Sequence, residues 1–176
     1  MGIKLEIGCG NHPKPGYEHL DFQPFPHVEY VADARKLPFA DNSVSVIYSQ
    51  HVIEHFWWFE TEKMFKEWYR VLEPGGLFEA STPDMENIIR MWQDGSWIKE
   101  VQACQGPGYG WSYGSDKDRN MWLNFKLHGT HWPTNIHLTA FTFELLKTQL
   151  TNAGYKDIVR INNTPNTTTL HVTGRK

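Results

Sequence analysis

Apolar residues come in short, interrupted runs through the first third of the chain and form a one-sided stripe only after position 60. Ile3, Leu5 and Ile7 alternate with Lys4 and Glu6 and stop at Gly8-Cys9-Gly10, the pattern of a strand entering a tight glycine turn. Residues 19–22 and 28–32 predict two more short strands, each bounded by Pro, Gly or Asp. Residues 43–49 (SVSVIYS) are rich in β-branched side chains and predict a strand buried on both faces. The period then changes. Over residues 60–72, Met64, Phe65, Trp68, Tyr69 and Leu72 fall on one side of an amphipathic helix, which Pro74-Gly75-Gly76 is expected to close. Residues 77–81 predict the next strand. Thr82-Pro83-Asp84 then opens a helix with Met85, Ile88, Ile89 and Trp92 on one side and Asp94-Gly95 as its stop.

The second half starts with a glycine and aromatic run, residues 106–114, too irregular for helix or strand and expected to be a mobile loop. Ser115 and Asp118 have the spacing of a capping box for a helix to about residue 127, and Thr142 caps another that ends near Ala153-Gly154. Residues 158–161 and 170–172 flank a turn-forming 162–166 and are expected to pair antiparallel. The order predicts an α/β fold, a Rossmann-like open sheet of about seven strands, mostly parallel, with an antiparallel C-terminal pair and helices on both faces. Ligands of such sheets sit at the carboxyl ends of the strands.

Composition narrows the class. A chain of 176 residues with 40% hydrophobic content suits one domain. Its net charge of −3 gives no footprint for holding a polyphosphate backbone, so no nucleic-acid partner is expected. Cys9 and Cys104 are too few for a disulfide framework, and the start lacks the pattern of a secretory signal, so a cytoplasmic location is expected. The apolar runs fall far short of the roughly 18 residues a membrane span needs, so no membrane partner is expected either. The 8 Trp, 7 Tyr and 10 Phe suit a thick core or a stacking pocket for a flat or cationic ligand.

The chemistry-bearing residues collect at the predicted strand ends. Glu6-Ile7-Gly8-Cys9-Gly10 offers two glycines whose missing Cβ lets a ligand lie against the backbone. A dinucleotide fingerprint would need a third glycine where Pro13 stands, and a Walker A loop would need Gly-Lys-Ser/Thr, which is absent. The alternative is a plain tight turn. Asp21, ending the second strand with Phe22 beside it, has a carboxylate suited to ribose hydroxyls, or simply opens a turn. Asp33-Ala34 follows the third strand, where the carboxylate could accept from an exocyclic amine while Leu37 and Phe39 cover a ring; alone it would be a surface Asp.

Taken together, strand, Glu-x-Gly-x-Gly, Asp21, Asp33-Ala34 with Leu37-Pro38-Phe39, Gln50-His51-Val52-Ile53-Glu54-His55, and Arg70-Val71-Leu72-Glu73-Pro74-Gly75-Gly76 resemble the class I S-adenosylmethionine-dependent methyltransferases, in particular the small type 11 group. The resemblance is close over residues 3–84 and looser at residues 142–155. It implies S-adenosylmethionine as cofactor and methyl transfer to an oxygen or nitrogen of a small polar acceptor, a sugar or other metabolite. It also implies one domain, 1–176, with a cofactor half at about 1–84 and a substrate or lid region at about 95–141. By position, Glu6, Gly8, Cys9 and Gly10 would line the methionine part, Asp21 with Phe22 the ribose, and Asp33 with Ala34 the adenine. Ser49, Gln50 and His51, leaving the fourth strand, would border the methyl group. A ligand without phosphate but with a sulfonium cation suits acidic and aromatic neighbours.

One departure stands out. His12-Pro13-Lys14-Pro15-Gly16 replaces the start of the usual first helix, so that helix must be vestigial, and Lys14 or His12 becomes a possible partner for the methionine carboxylate.

A competing motif is His51-Val52-Ile53-Glu54-His55, which has the His-x-x-Glu-His spacing of inverted zincins and would belong to a zinc-dependent hydrolase. Because it directly follows a buried strand, two histidines bordering the cofactor are preferred and no metal is expected. Methyl transfer is an in-line displacement that needs alignment and, for an oxygen acceptor, removal of a proton. His131 and His137 are the candidate bases, with His55 and Asp84 behind them; solvated loop histidines are the plain alternative. A non-catalytic S-adenosylmethionine-binding or scaffold protein would keep Asp21 and Asp33 without turnover.

Overall fold

The computed structural model describes residues 2–99, 116–129, 136–161 and 167–176. Seven strands form one sheet: β1 (Ile3–Ile7), β2 (Glu18–Asp21), β3 (Tyr30–Val31), β4 (Val44–Gln50), β5 (Leu72–Pro83), β6 (Lys156–Arg160) and β7 (Thr169–Arg175). Their spatial order is β3-β2-β1-β4-β5-β7-β6. The first five pair in parallel, and β7 runs antiparallel to both β5 and β6. The chain leaves β1 toward β2 and β3 and returns to β4 on the other side of β1. The carboxyl ends of β1 and β4 therefore border a topological switch point, where open α/β sheets bind ligands.

Alternation along the strands decides which face is core. Leu5 and Ile7, Ile47, Phe78 and Ala80, and Leu170 and Val172 form one buried cluster. Two helices close over it. Helix α1 (Trp58–Val71) contributes Met64, Phe65, Trp68 and Val71, at helical spacing. The last described helix, Phe143–Ala153, contributes Leu146, Leu150 and Ala153. Each fully buried side chain of this size is worth about 1.5–3 kcal/mol relative to exposure. Trp68 also donates its indole N–H to the Ala34 carbonyl at 2.8 Å, so the core helix holds the segment that follows β3.

Helices α2 (Met85–Asp94) and α3 (Asp116–His128) bring Ile88, Met91 and Trp122 together with Trp97 in a second, smaller cluster. The helix of residues 143–153, α4, is capped as expected: Thr142 accepts from the Leu145 N–H, and Gly154 closes it in the left-handed region.

The helices are unevenly shared between the faces. The face opposite the core presents Lys4, Glu6, Tyr48 and Glu79, and the turns of residues 8–17 lie across it in place of a helix. The first helix is absent, as its two prolines dictate. Lys14 sits 3.8 Å from the centre of the Tyr48 ring, with Tyr17 beside both.

Three boundaries differ from the sequence reading. Strand β3 is only two residues long. Pro74-Gly75-Gly76 does not follow the helix as a loop but forms an irregularity inside β5: the partner of Val44 is Leu72 and that of Val46 is Leu77, so extra residues bulge between them, with Gly75 at φ +79. Thr82 and Pro83 pair with Leu170 and Thr169, which carries the strand to residue 83 and leaves Asp84 as the helix cap. The expected loop 106–114, Ser115 and the turn 162–166 lie outside the described residues. Trp57, Trp58 and Phe59 are exposed; Trp57 stacks on Phe59, and Trp58 meets Phe59 edge to face. Among the described residues no helix is long and apolar enough to cross a membrane.

Candidate active site

Strand β1 runs into Gly8 at φ +75, and an added Cβ there would lie 2.3 Å from a Val52 methyl. Gly8 is thus required by backbone shape and by the closeness of the segment after β4. Gly10, at φ +53, faces open space. Its N–H reaches Asp21 Oδ2 at 3.0 Å, and the Gln23 N–H reaches Oδ1 at 2.9 Å. Two backbone donors therefore fix a buried carboxylate at the end of β2, and each oxygen keeps a further lone pair.

A cavity of about 420 Å³ opens at these strand ends. Gly8, Asp21, Phe22, Asp33 and Ala34 line it, together with His55. Its apolar wall includes Val52, Phe56 and Leu138. Phe22 is 61% exposed at the rim. Asp33 is gripped by Arg35, whose guanidinium Nη2 lies 2.7 Å from Oδ2 and which also donates to Glu60; this pairing holds the Asp33 carboxyl below the usual range.

The remaining expected residues, Glu6, Cys9, Gly10, Ser49, Gln50 and His51, do not line the cavity. Glu6 is buried and accepts the Lys14 N–H at 2.6 Å, which pins the turn of residues 8–17. Cys9 is buried, and burial together with the nearby Asp21 and Glu6 carboxylates pushes its thiol up to about 11. Gln50 is exposed and accepts from the Tyr48 hydroxyl at 3.1 Å. Ser49, one residue earlier, faces inward; its Oγ is buried without a hydrogen-bond partner. Leu37 and Phe39 are corrected: Leu37 joins the core and Phe39 packs on Tyr30 at 4.7 Å, so neither covers the cavity.

After β4 the chain turns at His51, whose φ of +53 precedes a single 3-10 turn, Ile53–His55. His51 and His55 are therefore not a helical pair, as a zincin requires. Glu54 is fully buried and accepts from His51 Nδ1 at 3.0 Å and Thr82 Oγ1 at 3.1 Å. Its backbone carbonyl accepts the N–H groups of Leu138 and Thr139, which brings His137 to His55 with ring centres 5.3 Å apart. Both rings are oriented by carbonyls: His55 Nδ1 lies 3.0 Å from the Ile136 oxygen and His137 Nδ1 3.1 Å from that of Lys126. A carbonyl only accepts, so each Nδ1 carries the proton and each Nε2 is left basic. Burial lowers the pKa of His137.

Asp84, expected as a further base, has a structural place instead. It is fully buried, caps α2 by accepting the Asn87 N–H at 3.3 Å, and forms an ion pair with Arg160. His131 lies outside the described residues. Sequence reading missed Arg35, Val52, Phe56, Ile136 and Leu138. Val52 lies within the histidine motif and Phe56 adjoins it, whereas Leu138 is brought in by its long-range N–H bond to the Glu54 carbonyl and Ile136 by the bond from its carbonyl to His55 Nδ1, neither of which leaves a local signal.

A family model described as a methyltransferase domain matches residues 14–80. A probable S-adenosylmethionine-dependent methyltransferase of Mycolicibacterium smegmatis is 45% identical over 84 residues, which is 48% of this chain and 29% of that relative. A malonyl-[acyl-carrier protein] O-methyltransferase of a Marinomonas species is 36% identical over 75 residues, 40% of this chain and 27% of the relative. The matches thus span less than a third of either curated relative. Among solved structures, an S-adenosylmethionine-dependent methyltransferase of Thermotoga maritima, a possible histamine N-methyltransferase, superposes with a TM-score of 0.60 at 17% identity, covering 100% of this chain and 83% of that one.

Proposed function

We propose that this chain, a class I S-adenosylmethionine-dependent methyltransferase by family match and fold, transfers the methyl group to an oxygen or nitrogen of a small polar acceptor held beside His55 and His137. The observation that carries this reading is Asp21: a buried carboxylate, fixed by two backbone N–H groups and still able to accept, at the floor of the strand-end cavity.

The residues present suit the cofactor. Asp21 would accept the ribose hydroxyls, and the neighbouring Asp33 and Ala34 would border the adenine between the apolar wall and Phe22. The open space at Gly10 and the unpartnered Ser49 Oγ suit the methionine part. When bound, the sulfonium supplies an electrophilic methyl group and leaves as a neutral thioether.

The chain's own work is alignment and proton removal. His55 is at the cavity wall, and His137 adjoins it. With Nδ1 of each held on a carbonyl, Nε2 is the atom that takes a proton from an acceptor hydroxyl or ammonium. The lowered pKa of His137 keeps that nitrogen free at neutral pH. Acceptors without polyphosphate fit the net charge of −3.

Transfer of label from methyl-labelled S-adenosylmethionine to a panel of sugars, hydroxy acids and amines tests the reading. Labelled product with wild type and not with Asp21→Ala supports it. Cofactor binding without transfer to any acceptor would favour a non-catalytic binding protein.

A further inference from the structure

Glu54, His55 and His137 come from two segments more than eighty positions apart, yet one donor atom of each lies within 4.8 Å of the others. We propose that these three side chains form a site for a first-row divalent cation of the zinc class, at the wall of the cofactor cavity, where the open coordination position faces the acceptor. The inference rests on the methyltransferase reading for its role, but the site itself stands on geometry alone.

Three features of the cluster point to a cation. First, both rings are held through Nδ1 by backbone carbonyls, at 3.0 and 3.1 Å, so both Nε2 lone pairs are available. Metal-binding histidines almost always have this arrangement, since the outer bond fixes tautomer and ring direction. Second, Glu54 is 0% exposed, and among the described residues the one ionisable group hydrogen-bonded to its carboxylate is His51. A buried carboxylate without a full counter-charge is costly, and a cation supplies that charge. The hydrogen bonds from His51 and Thr82 then keep the carboxylate in place, as outer partners of a ligand do. Third, two imidazoles and one carboxylate leave a coordination position open, as catalytic zinc sites require, and His55 puts that position on the cavity.

The present spacing is wider than the ligand separation of about 3.3 Å that follows from metal–ligand bonds of about 2.0–2.1 Å in a tetrahedron, so the three side chains must draw together on binding while the Nδ1 bonds to the Ile136 and Lys126 carbonyls keep the two rings turned toward Glu54. A hydroxyl acceptor would complete the coordination and would lose its proton to solvent more readily there than when free, and in the cation-loaded protein His55 and His137 then act as ligands and not as the proton acceptors. This places the cation on the acceptor side. It also differs from a zincin built on His51, Glu54 and His55, because His137 is the ligand and His51 only supports Glu54.

The test uses the full chain and Zn²⁺ alone. Equilibrium dialysis followed by elemental analysis should give about one zinc per chain. His55→Ala, His137→Ala and Glu54→Gln should each weaken binding by roughly tenfold or more, while the exposed His12→Ala leaves it unchanged. Histidine modification by diethylpyrocarbonate, mapped by mass spectrometry on wild type, needs no variant: Zn²⁺ should protect His55 and His137 and leave His12 reactive. Absence of bound zinc, binding that survives both histidine substitutions, or equal modification of His55 and His137 with and without zinc would overturn the proposal. Titration of the same wild-type protein with S-adenosylhomocysteine tells the two readings apart: zinc binding without the sulfur ligand would leave the cation site standing while removing its methyltransferase role.

Discussion

Asp21 accepts the backbone N–H of Gly10 at 3.0 Å, so the end of β2 and the glycine turn after β1 act as one unit. Its second oxygen takes the Gln23 N–H, and both oxygens remain able to accept from a ligand. Replacing Asp21 by Ala is therefore expected to act twice. It should cost about 1–3 kcal/mol of S-adenosylhomocysteine affinity through lost ribose contacts, and a comparable amount of stability, because two backbone donors lose their acceptor. Calorimetry and thermal unfolding measure the two effects separately; an unchanged affinity would move the ribose contact away from Asp21.

The two glycines of the same turn should respond differently to alanine. Gly8→Ala meets a Val52 methyl at 2.3 Å in addition to its left-handed backbone, so it should lose more than the roughly 1–2 kcal/mol of the backbone cost alone. Val52→Ala should restore part of that loss. Gly10→Ala has no clash within the protein, and its stability cost should stay near the backbone value, while cofactor affinity falls by roughly tenfold or more as the methyl group enters the open space. Urea unfolding with and without cofactor checks both. Equal behaviour of the two variants would contradict the assignment of Gly10 to the ligand side.

Cys9 is buried beside two carboxylates, and its thiol pKa is pushed up to about 11. At about pH 8 only a fraction on the order of one in a thousand is thiolate, so the residue should alkylate far more slowly than a free cysteine. Iodoacetamide kinetics on a Cys104→Ser background measure this. Rapid labelling of the folded protein would show that the turn after β1 is open.

His137 titrates below the ordinary imidazole value of 6.5 because of burial. Between the lowered folded pKa and 6.5 the unfolded chain binds more protons, so stability rises with pH across that window and is lost as pH falls through it. His137→Gln should flatten this slope. In turnover, the same shift should move the acid limb of the rate profile below 6.5; a limb at or above that value would assign the proton acceptor elsewhere.

The legible part of the site is the part made by local chain shape. Gly8 and Asp21 stand where alternating strands stop, and alternation alone predicts the strand that carries each. Ala34 is legible by position, though the Trp68 bond that holds it spans 34 residues and is invisible in sequence. Pro74-Gly75-Gly76 misleads because the same residues that end a helix also permit a bulge, and only pairing with Val44 and Val46 decides between the two. Leu37 and Phe39 read as a ring cover, but the burial that an apolar pair seeks is found in the core and on Tyr30. The histidine cluster is half legible. His55 and Glu54 share a motif, whereas the arrival of His137 depends on two backbone bonds to the Glu54 carbonyl.

Calorimetric titration with S-adenosylmethionine and S-adenosylhomocysteine, with a nicotinamide dinucleotide as control, asks whether the cavity at the ends of β1, β2 and β3 is an S-adenosylmethionine site. The prediction is one site per chain with a Kd near micromolar, about −8 kcal/mol, for both sulfur ligands and no heat with the dinucleotide. Absence of binding by either sulfur ligand, or equal binding of the dinucleotide, would contradict it.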